Sequence, residues 1–417
     1  MTRCVRCKGR GLCGRPVCPI LRSFRVASEL PKLGTTIEGP SPPEVFVGRF
    51  GYPRVSAGPL VPADERGGLD LGSSSGSGTG SAPDLGSLLF SRPADLARMD
   101  VGEIVALRSS MVRSGSKVEV ADARNPGRLL EMAQEIAMSS TPVGTEVTFE
   151  KPPRGRLRFD GFMMPSGPSG SVKEMEITSN PSIPRKVDAV VEDSDLLAAR
   201  AVGELYASGV EVDGISRLLS LGLLGKKRKL VPTRWSITAS DDIAGKHLAA
   251  AIQDLPPVNE YLLFSGERLG NHFEVLLAPG TFTYELIEIW LPRSVWSGEE
   301  AWIGADREGP GPKKGYSDLA GGYYAARLAL LERLAEVRRQ ASALLVREIT
   351  EKYWAPLGVW VVREAAREAL RNPPQKFETL EAALADIATR IRTPARDWRP
   401  HSELVRGAGQ TTLAKFF

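Results

Sequence analysis

Every thiol in this 417-residue chain lies within its first eighteen positions, at Cys4, Cys7, Cys13 and Cys18. No disulfide can therefore brace the remainder, which must be held by its own apolar core. The cysteines are separated by two, five and four residues, with Gly9, Gly11 and Gly14 among them, so a short backbone can wrap around one ion. Four thiolates at such spacing predict a tetrahedral zinc site that is closed to substrate and structural, in a segment too small to fold unaided. An iron–sulfur cluster would use the same four ligands, and spacing alone does not separate the two. Two disulfides in so short a loop do not suit a reducing cell. Arg3, Arg6, Lys8, Arg10 and Arg15 make this knuckle basic, either to compensate thiolate charge or to face phosphates.

The rest of the chain has an ordinary composition for a soluble globular protein, with 42% hydrophobic and 25% charged residues. No apolar run approaches the roughly 20 residues that cross a bilayer, and the basic N-terminus does not read as a signal segment, so a cytoplasmic location is expected. The 54 cations are nearly matched by 50 anions, leaving a net charge of +4. Any affinity for nucleic acid must then come from local patches.

The pattern along the chain predicts an α+β protein in four parts: a zinc knuckle at 1–22, a mixed body at 23–310, a C-terminal helical region at 311–405 and a flexible tail at 406–417. Within the body, 67–86 collapses to Gly and Ser and reads as a flexible insertion. Val45–Val61 carries short apolar stretches bounded by Gly and Pro, the mark of strands and tight turns. Helices are expected at 100–108, 128–138, 194–207 and 215–224, and strands at 146–150 and 186–191. Segments 271–277 and 281–291, joined by Ala278-Pro279-Gly280, alternate like an antiparallel hairpin. Tyr323–Tyr353 reads as one long amphipathic helix, followed by helices at 359–370 and 380–391. The Gly/Ser/Pro loop at 166–170 lacks the lysine and spacing of a phosphate-binding loop.

Two places have residue types suited to chemistry. Lys226, Lys227, Arg228 and Lys229 are consecutive cations that can meet phosphates, and Arg234 and Trp235 follow closely, the indole being suited to stacking on a base. A solvated basic turn beside a core tryptophan would give the same sequence. Asp241 and Asp242, just downstream, read as a helix cap in preference to metal ligands. The expected hairpin carries His272 with Glu274, Glu285 and Glu288, weak candidates for metal-assisted phosphodiester cleavage. His247 stands a helical turn and a half beyond Asp241 and Asp242, which with it are too few ligands for a metal site, and His401 is the third histidine. No nuclease signature, phosphate-cradling loop or nucleophile arrangement accompanies these residues.

The chain ends in Gln410-Thr411-Thr412-Leu413-Ala414-Lys415-Phe416-Phe417. Leu413, Phe416 and Phe417 fall at i, i+3 and i+4, so one helical turn puts all three on one face, with Gln410 a turn earlier. Gly407-Ala408-Gly409 reads as its tether. The pattern resembles the PCNA-interacting peptide, which attaches repair and replication proteins to the sliding clamp. Taken with Cys4–Pro19, Phe46–Pro53 and Leu230–Thr238, it makes nearly the whole chain resemble the archaeal Nre proteins, a family linked to DNA repair and PCNA binding. The resemblance implies a repair role and attachment to the clamp, and carries no catalytic mechanism. A DNA-repair factor that binds DNA or a nucleotide is therefore expected, with a clamp-localised nuclease or a non-catalytic repair adaptor as the alternatives.

Overall fold

The computed structural model describes residues 33–63, 92–154, 167–295, 297, 299–311 and 313–408, with isolated positions 7, 10, 12, 18, 21 and 25. Cys4, Cys13, the Gly/Ser stretch 67–86 and the terminal peptide 410–417 lie outside the described residues; Cys7 is buried and Cys18 half-buried. From residue 33 onward the chain forms two compact units, the first ending at Ala244 and the second beginning at Gly245.

The first unit contains β1 (Thr36–Ser41), β2 (Val45–Val47), β3 (Arg54–Pro62), α1 (Pro93–Leu96), α2 (Val101–Ser109), β4 (Met111–Glu119), a 3-10 turn (Val120–Arg124) and α3 (Arg128–Met138). It continues through β5 (Val143–Phe149), β6 (Ser169–Ile177), α4 (Arg185–Glu192), α5 (Ala198–Ala207), α6 (Val212–Ser220) and the start of α7 (Thr233–Ile252). Its sheet has the order β1-β5-β6-β4-β3-β2, antiparallel except where β4 runs parallel to β6. Helix α2 starts where Asp100 and Glu103 cap each other's backbone amides at 2.7 and 2.8 Å. Helix α3 lies between two apolar clusters. Leu130, Ala133 and Ala137 join Val47, Val55, Leu205 and Ile215, while Ile136 joins Val61, Val147 and Phe149.

Three local expectations change here. Residues 186–191 are helix α4, not a strand, because Val187, Val190 and Val191 bury at helical spacing. Helix α5 begins at Ala198, after a turn in which the Asp193 carboxylate accepts from the Asp195 and Leu196 amides. Asp241 and Asp242 stand well inside α7, so neither caps it.

The second unit follows as β7 (Tyr261–Arg268), β8 (Asn271–Ala278), β9 (Thr283–Trp290), β10 (Trp302–Glu308), α8 (Gly321–Glu336), β11 (Ser342–Ile349), α9 (Trp360–Arg371), β12 (Gln375–Phe377), α10 (Leu380–Arg390), α11 (Ala395–Trp398) and α12 (Glu403–Ala408). The strand order is β10-β9-β11-β8-β7-β12. The expected hairpin does not form, because β11 lies between its two arms, antiparallel to β8 and parallel to β9. A true hairpin joins β7 to β8 through Leu269 and Gly270, whose φ values of 50° and 72° suit the tight two-residue turn that follows strand twist.

The C-terminal region is likewise not all helix. Helix α8 stops at Glu336, Arg338 turns the chain with φ of 54°, and β11 follows. Ala343 and Leu345 pack under α8 and α9, whereas Leu344 and Val346 pack on the opposite face with Leu384, Ile387 and Trp398. A strand covered on both faces is apolar throughout, and that run imitates a helical stripe. Gly407 and Ala408, expected as tether, are the last residues of α12.

One buried ionic cluster pins the centre of this sheet. Arg347 of β11 donates to Glu288 of β9 at 2.6 Å, and its Nε donates to the Asn271 side-chain oxygen on β8 at 3.0 Å. Removing one partner of a buried pair leaves the other charge uncompensated. Glu288→Ala should therefore lower the unfolding free energy by about 3–5 kcal/mol in chemical denaturation, whereas Trp235→Ala, at an exposed indole, should change it by no more than about 0.5 kcal/mol.

Candidate nucleic-acid interface

The β2–β3 connection is a tight loop. The Gly48 amide donates to Ser56 O at 2.8 Å, and the Arg54 amide donates to Gly51 O at the same distance. Gly51 has φ of 87°, and a Cβ there would lie 2.8 Å from Arg54 O, so the turn requires glycine. The loop projects Arg49, Phe50 and Tyr52 outward, with Phe50 64% and Tyr52 56% exposed. The Arg49 guanidinium lies 4.8 Å above the Phe50 ring. The following Tyr52–Pro53 peptide is cis.

A second loop, between α6 and α7, comes to the same place. Leu223, Leu224 and Leu230 are buried and hold it down, leaving Lys226, Lys227 and Lys229 exposed between them. Arg228 differs from its neighbours: it is half-buried and donates to the Val191 carbonyl at the end of α4, a structural contact. The Val231 amide donates to Ser220 O at 2.8 Å, and helix α7 then begins with the Trp235 and Ser236 amides donating to Pro232 O.

Two relays fix the loops to each other. Pro53 O accepts from the Val120 amide at 3.0 Å, and Val120 O accepts from the Leu230 amide at 2.9 Å. The Val47 amide donates to the Thr233 hydroxyl oxygen at 2.8 Å, and that hydroxyl also lies 3.2 Å from Ser220 Oγ. One turn on, Ser236 Oγ lies 3.1 Å from Ser216 Oγ. With the inner side of the first turn of α7 held in this way, Arg234 and Trp235 point to solvent, and the indole is 53% exposed. The Tyr52 and Trp235 rings stand 6.4 Å apart with planes inclined at 48°. Of the expected residues, Lys226, Lys227, Lys229, Arg234 and Trp235 are all exposed, and Trp235 stands beside Tyr52. Sequence reasoning did not assign Arg49, Phe50 and Tyr52 to a site. Their signal was an Arg-Phe-Gly-Tyr-Pro run, too tight a turn to bury both aromatics.

The residues of the expected hairpin are distributed otherwise. His272 and Glu274 do meet: His272 Nε2 lies 2.7 Å from Glu274 Oε1, which also accepts from Ser265 Oγ at 2.6 Å. Arg390 approaches the other oxygen at 3.6 Å. Glu285 is elsewhere on the sheet, accepting from Ser402 Oγ at 2.6 Å and from the Glu403 and Leu404 amides at 3.1 and 3.0 Å. Its carboxylate thereby caps the N-terminus of α12. Glu288, an odd number of residues along the same strand, faces the opposite side.

A further polar group surrounds the start of α8. Burial raises the Asp306 carboxyl, but hydrogen bonds from Lys313 and Ser317 outweigh it and hold the group below its ordinary value. Burial pushes the Tyr284 and Tyr323 hydroxyls well above theirs, so both stay neutral at physiological pH. Among the described residues, no group of three or more His, Cys, Asp or Glu is placed to hold a metal ion. His247 and His401 are exposed.

Fold and surface together define a two-unit α+β protein with an aromatic and cationic face on its first unit. The chain belongs to the archaeal Nre family: the description "Archaeal Nre, N-terminal" matches residues 12–297, and "Archaeal Nre, C-terminal" matches residues 308–416. It is 41% identical to the DNA repair protein NreA of Archaeoglobus fulgidus, covering 100% of this chain and 98% of that protein. It is 36% identical to the DNA repair protein NreB of the same organism, over 99% of each chain. With the DNA repair protein NreA of Haloferax volcanii the identity is 35%, over 95% of this chain and 92% of the other. No solved structure matches the chain significantly. Among the described residues, no helix is long and apolar enough to cross a membrane.

Thr233→Val keeps the shape of the residue but removes the acceptor for the Val47 amide. It should destabilise the protein by about 1–3 kcal/mol in denaturant unfolding, and Thr233→Ser should recover most of that stability.

Proposed function

We propose that this protein is a DNA-repair factor that binds DNA through the face carrying Tyr52, Trp235, Lys226, Lys227 and Arg234, and is held at the PCNA sliding clamp by Gln410, Leu413, Phe416 and Phe417. The observation that carries the DNA reading is the meeting of two exposed aromatic rings from separate segments, each segment also carrying exposed cations, Arg49 in one and Lys226, Lys227 and Arg234 in the other. Cations neutralise phosphates and rings stack on bases, so the face offers both halves of nucleic-acid recognition. The names of its relatives supply the repair context. Clamp attachment rests on the spacing of the terminal residues. The peptide follows α12, whose first turn is tied to the sheet by Glu285, and the nine residues after Ala408 can reach at most about 30 Å. A clamp-localised nuclease gains nothing from the expected hairpin, because Glu285 caps a helix and Glu288 neutralises Arg347.

Fluorescence anisotropy with labelled DNA across a salt series tests the first part. Lys227→Ala should weaken binding and flatten the plot of log affinity against log salt by about 0.7–0.9 for each phosphate that is no longer neutralised. Deleting 410–417 should abolish capture of the chain by immobilised PCNA while DNA affinity persists; capture that survives the deletion would refute the tail assignment.

Cys4, Cys7, Cys13 and Cys18 offer four thiolates for a closed tetrahedral site, and a structural zinc is proposed there in preference to an iron–sulfur cluster on the same ligands. Metal analysis of the purified protein should find one zinc per chain, and an iron chromophore in its place would overturn that assignment.

A further inference from the structure

We propose that Tyr52 and Trp235 hold one unpaired base of single-stranded DNA between their rings, with the neighbouring cations following the phosphates on either side. The proposal rests on the reading that this face binds DNA, and specifies which form of DNA it takes. Stacked bases are spaced by about 3.4 Å, so a base held between two rings needs about 7 Å from ring to ring. At 6.4 Å between centroids and 48° between planes the two rings make a tilted aromatic contact, so they lie against each other in the free protein and must part by rotation to admit a base. Both side chains are more than half exposed, so rotation about their side-chain bonds can bring the planes from 48° toward parallel without disturbing any core.

The backbones behind the rings are held, in contrast. Tyr52 lies between Gly51, which closes the turn onto Arg54, and Pro53, whose carbonyl accepts from Val120. Trp235 sits in the first turn of α7, next to the Thr233 hydroxyl that accepts from Val47. Fixed roots with rotatable rings lower the ordering cost of closing on a ligand.

The rings also select against duplex DNA. A paired base has both faces covered by its neighbours, whereas an unpaired base can present both faces to aromatic rings. Arg49, Arg234, Lys226 and Lys227 are all exposed cations, and Arg54 pairs in register with Glu119 on β4. Stacking is tolerant of base identity, so the site should take any sequence, with salt-sensitive affinity.

The test compares anisotropy titrations of the full chain with a labelled oligothymidylate and with a blunt duplex of equal length, together with a single strand carrying one 2-aminopurine, whose emission falls when it stacks. The wild-type protein should prefer the single strand and quench the 2-aminopurine. Trp235→Ala and Tyr52→Ala should each weaken single-strand binding by about 5- to 150-fold, relieve the quenching, and leave duplex binding within about twofold. Trp235→Phe and Tyr52→Phe should retain most of the affinity, since each keeps a ring. Equal weakening on single strand and duplex, or quenching that survives both alanine variants, would overturn the base-holding role while leaving DNA binding in place. A wild-type protein that binds neither DNA would overturn the underlying reading as well.

Discussion

The placement of the exposed aromatics depends on the Val47 amide finding its acceptor in the Thr233 hydroxyl, 2.8 Å away and 186 positions later in the chain. A buried amide must be satisfied, and β2 is the edge strand of its sheet, so alternate amides such as that of Val47 point away from β3. The same hydroxyl meets Ser220, so β2, the end of α6 and the start of α7 share one polar node. Beside it, Val120 passes a backbone bond in each direction, to Pro53 and to Leu230. The two loops are therefore fixed by groups that cannot be left unpaired, and their outer residues are free to differ in kind from a core. Phe50 and Tyr52 flank the tight turn at Gly51, and Trp235 sits on the outer side of the first turn of α7, so all three rings remain in solvent.

The second unit solves the opposite problem, how to bury charge. Its central strand β11 is covered on both faces, yet carries Arg347 and Glu348. Arg347 is matched by Glu288 and Asn271, and Glu348 accepts from the Arg392 and Thr393 amides and the Thr393 hydroxyl. Glu274 and Glu285 are used in the same way, one by His272 and Ser265, the other by the first turn of α12. Carboxylates that look available for catalysis in the sequence are thus spent on satisfying donors that the fold would otherwise strand. Glu285 also ties the root of the terminal peptide to the sheet.

Local signals were legible wherever neighbours in sequence decide the structure. The spacing in 100–108, 128–138, 359–370 and 380–391 marked α2, α3, α9 and α10 to within a residue or two. Leu344 and Leu345 could not be read the same way, since a strand buried on both faces and a helix stripe give similar apolar runs. The supposed hairpin failed because strand alternation says which residues share a face and nothing about which strand lies alongside. The basic row was half legible: its charge was plain, but that Arg228 turns inward to Val191 is a matter of packing.

By itself the sequence determined the α+β character, the helices with strong periodicity, the presence of a cationic segment followed by a tryptophan, and the family, through motifs that need no structure to recognise. The tertiary structure alone decided that β11 enters between β8 and β9, that the acidic residues of those strands become ion pairs and caps, and that Tyr52 comes within 6.4 Å of Trp235. The reason is one of range. Helix periodicity and capping act within a few residues, whereas strand order and the meeting of two loops follow from satisfying buried amides and charges whose partners lie far along the chain.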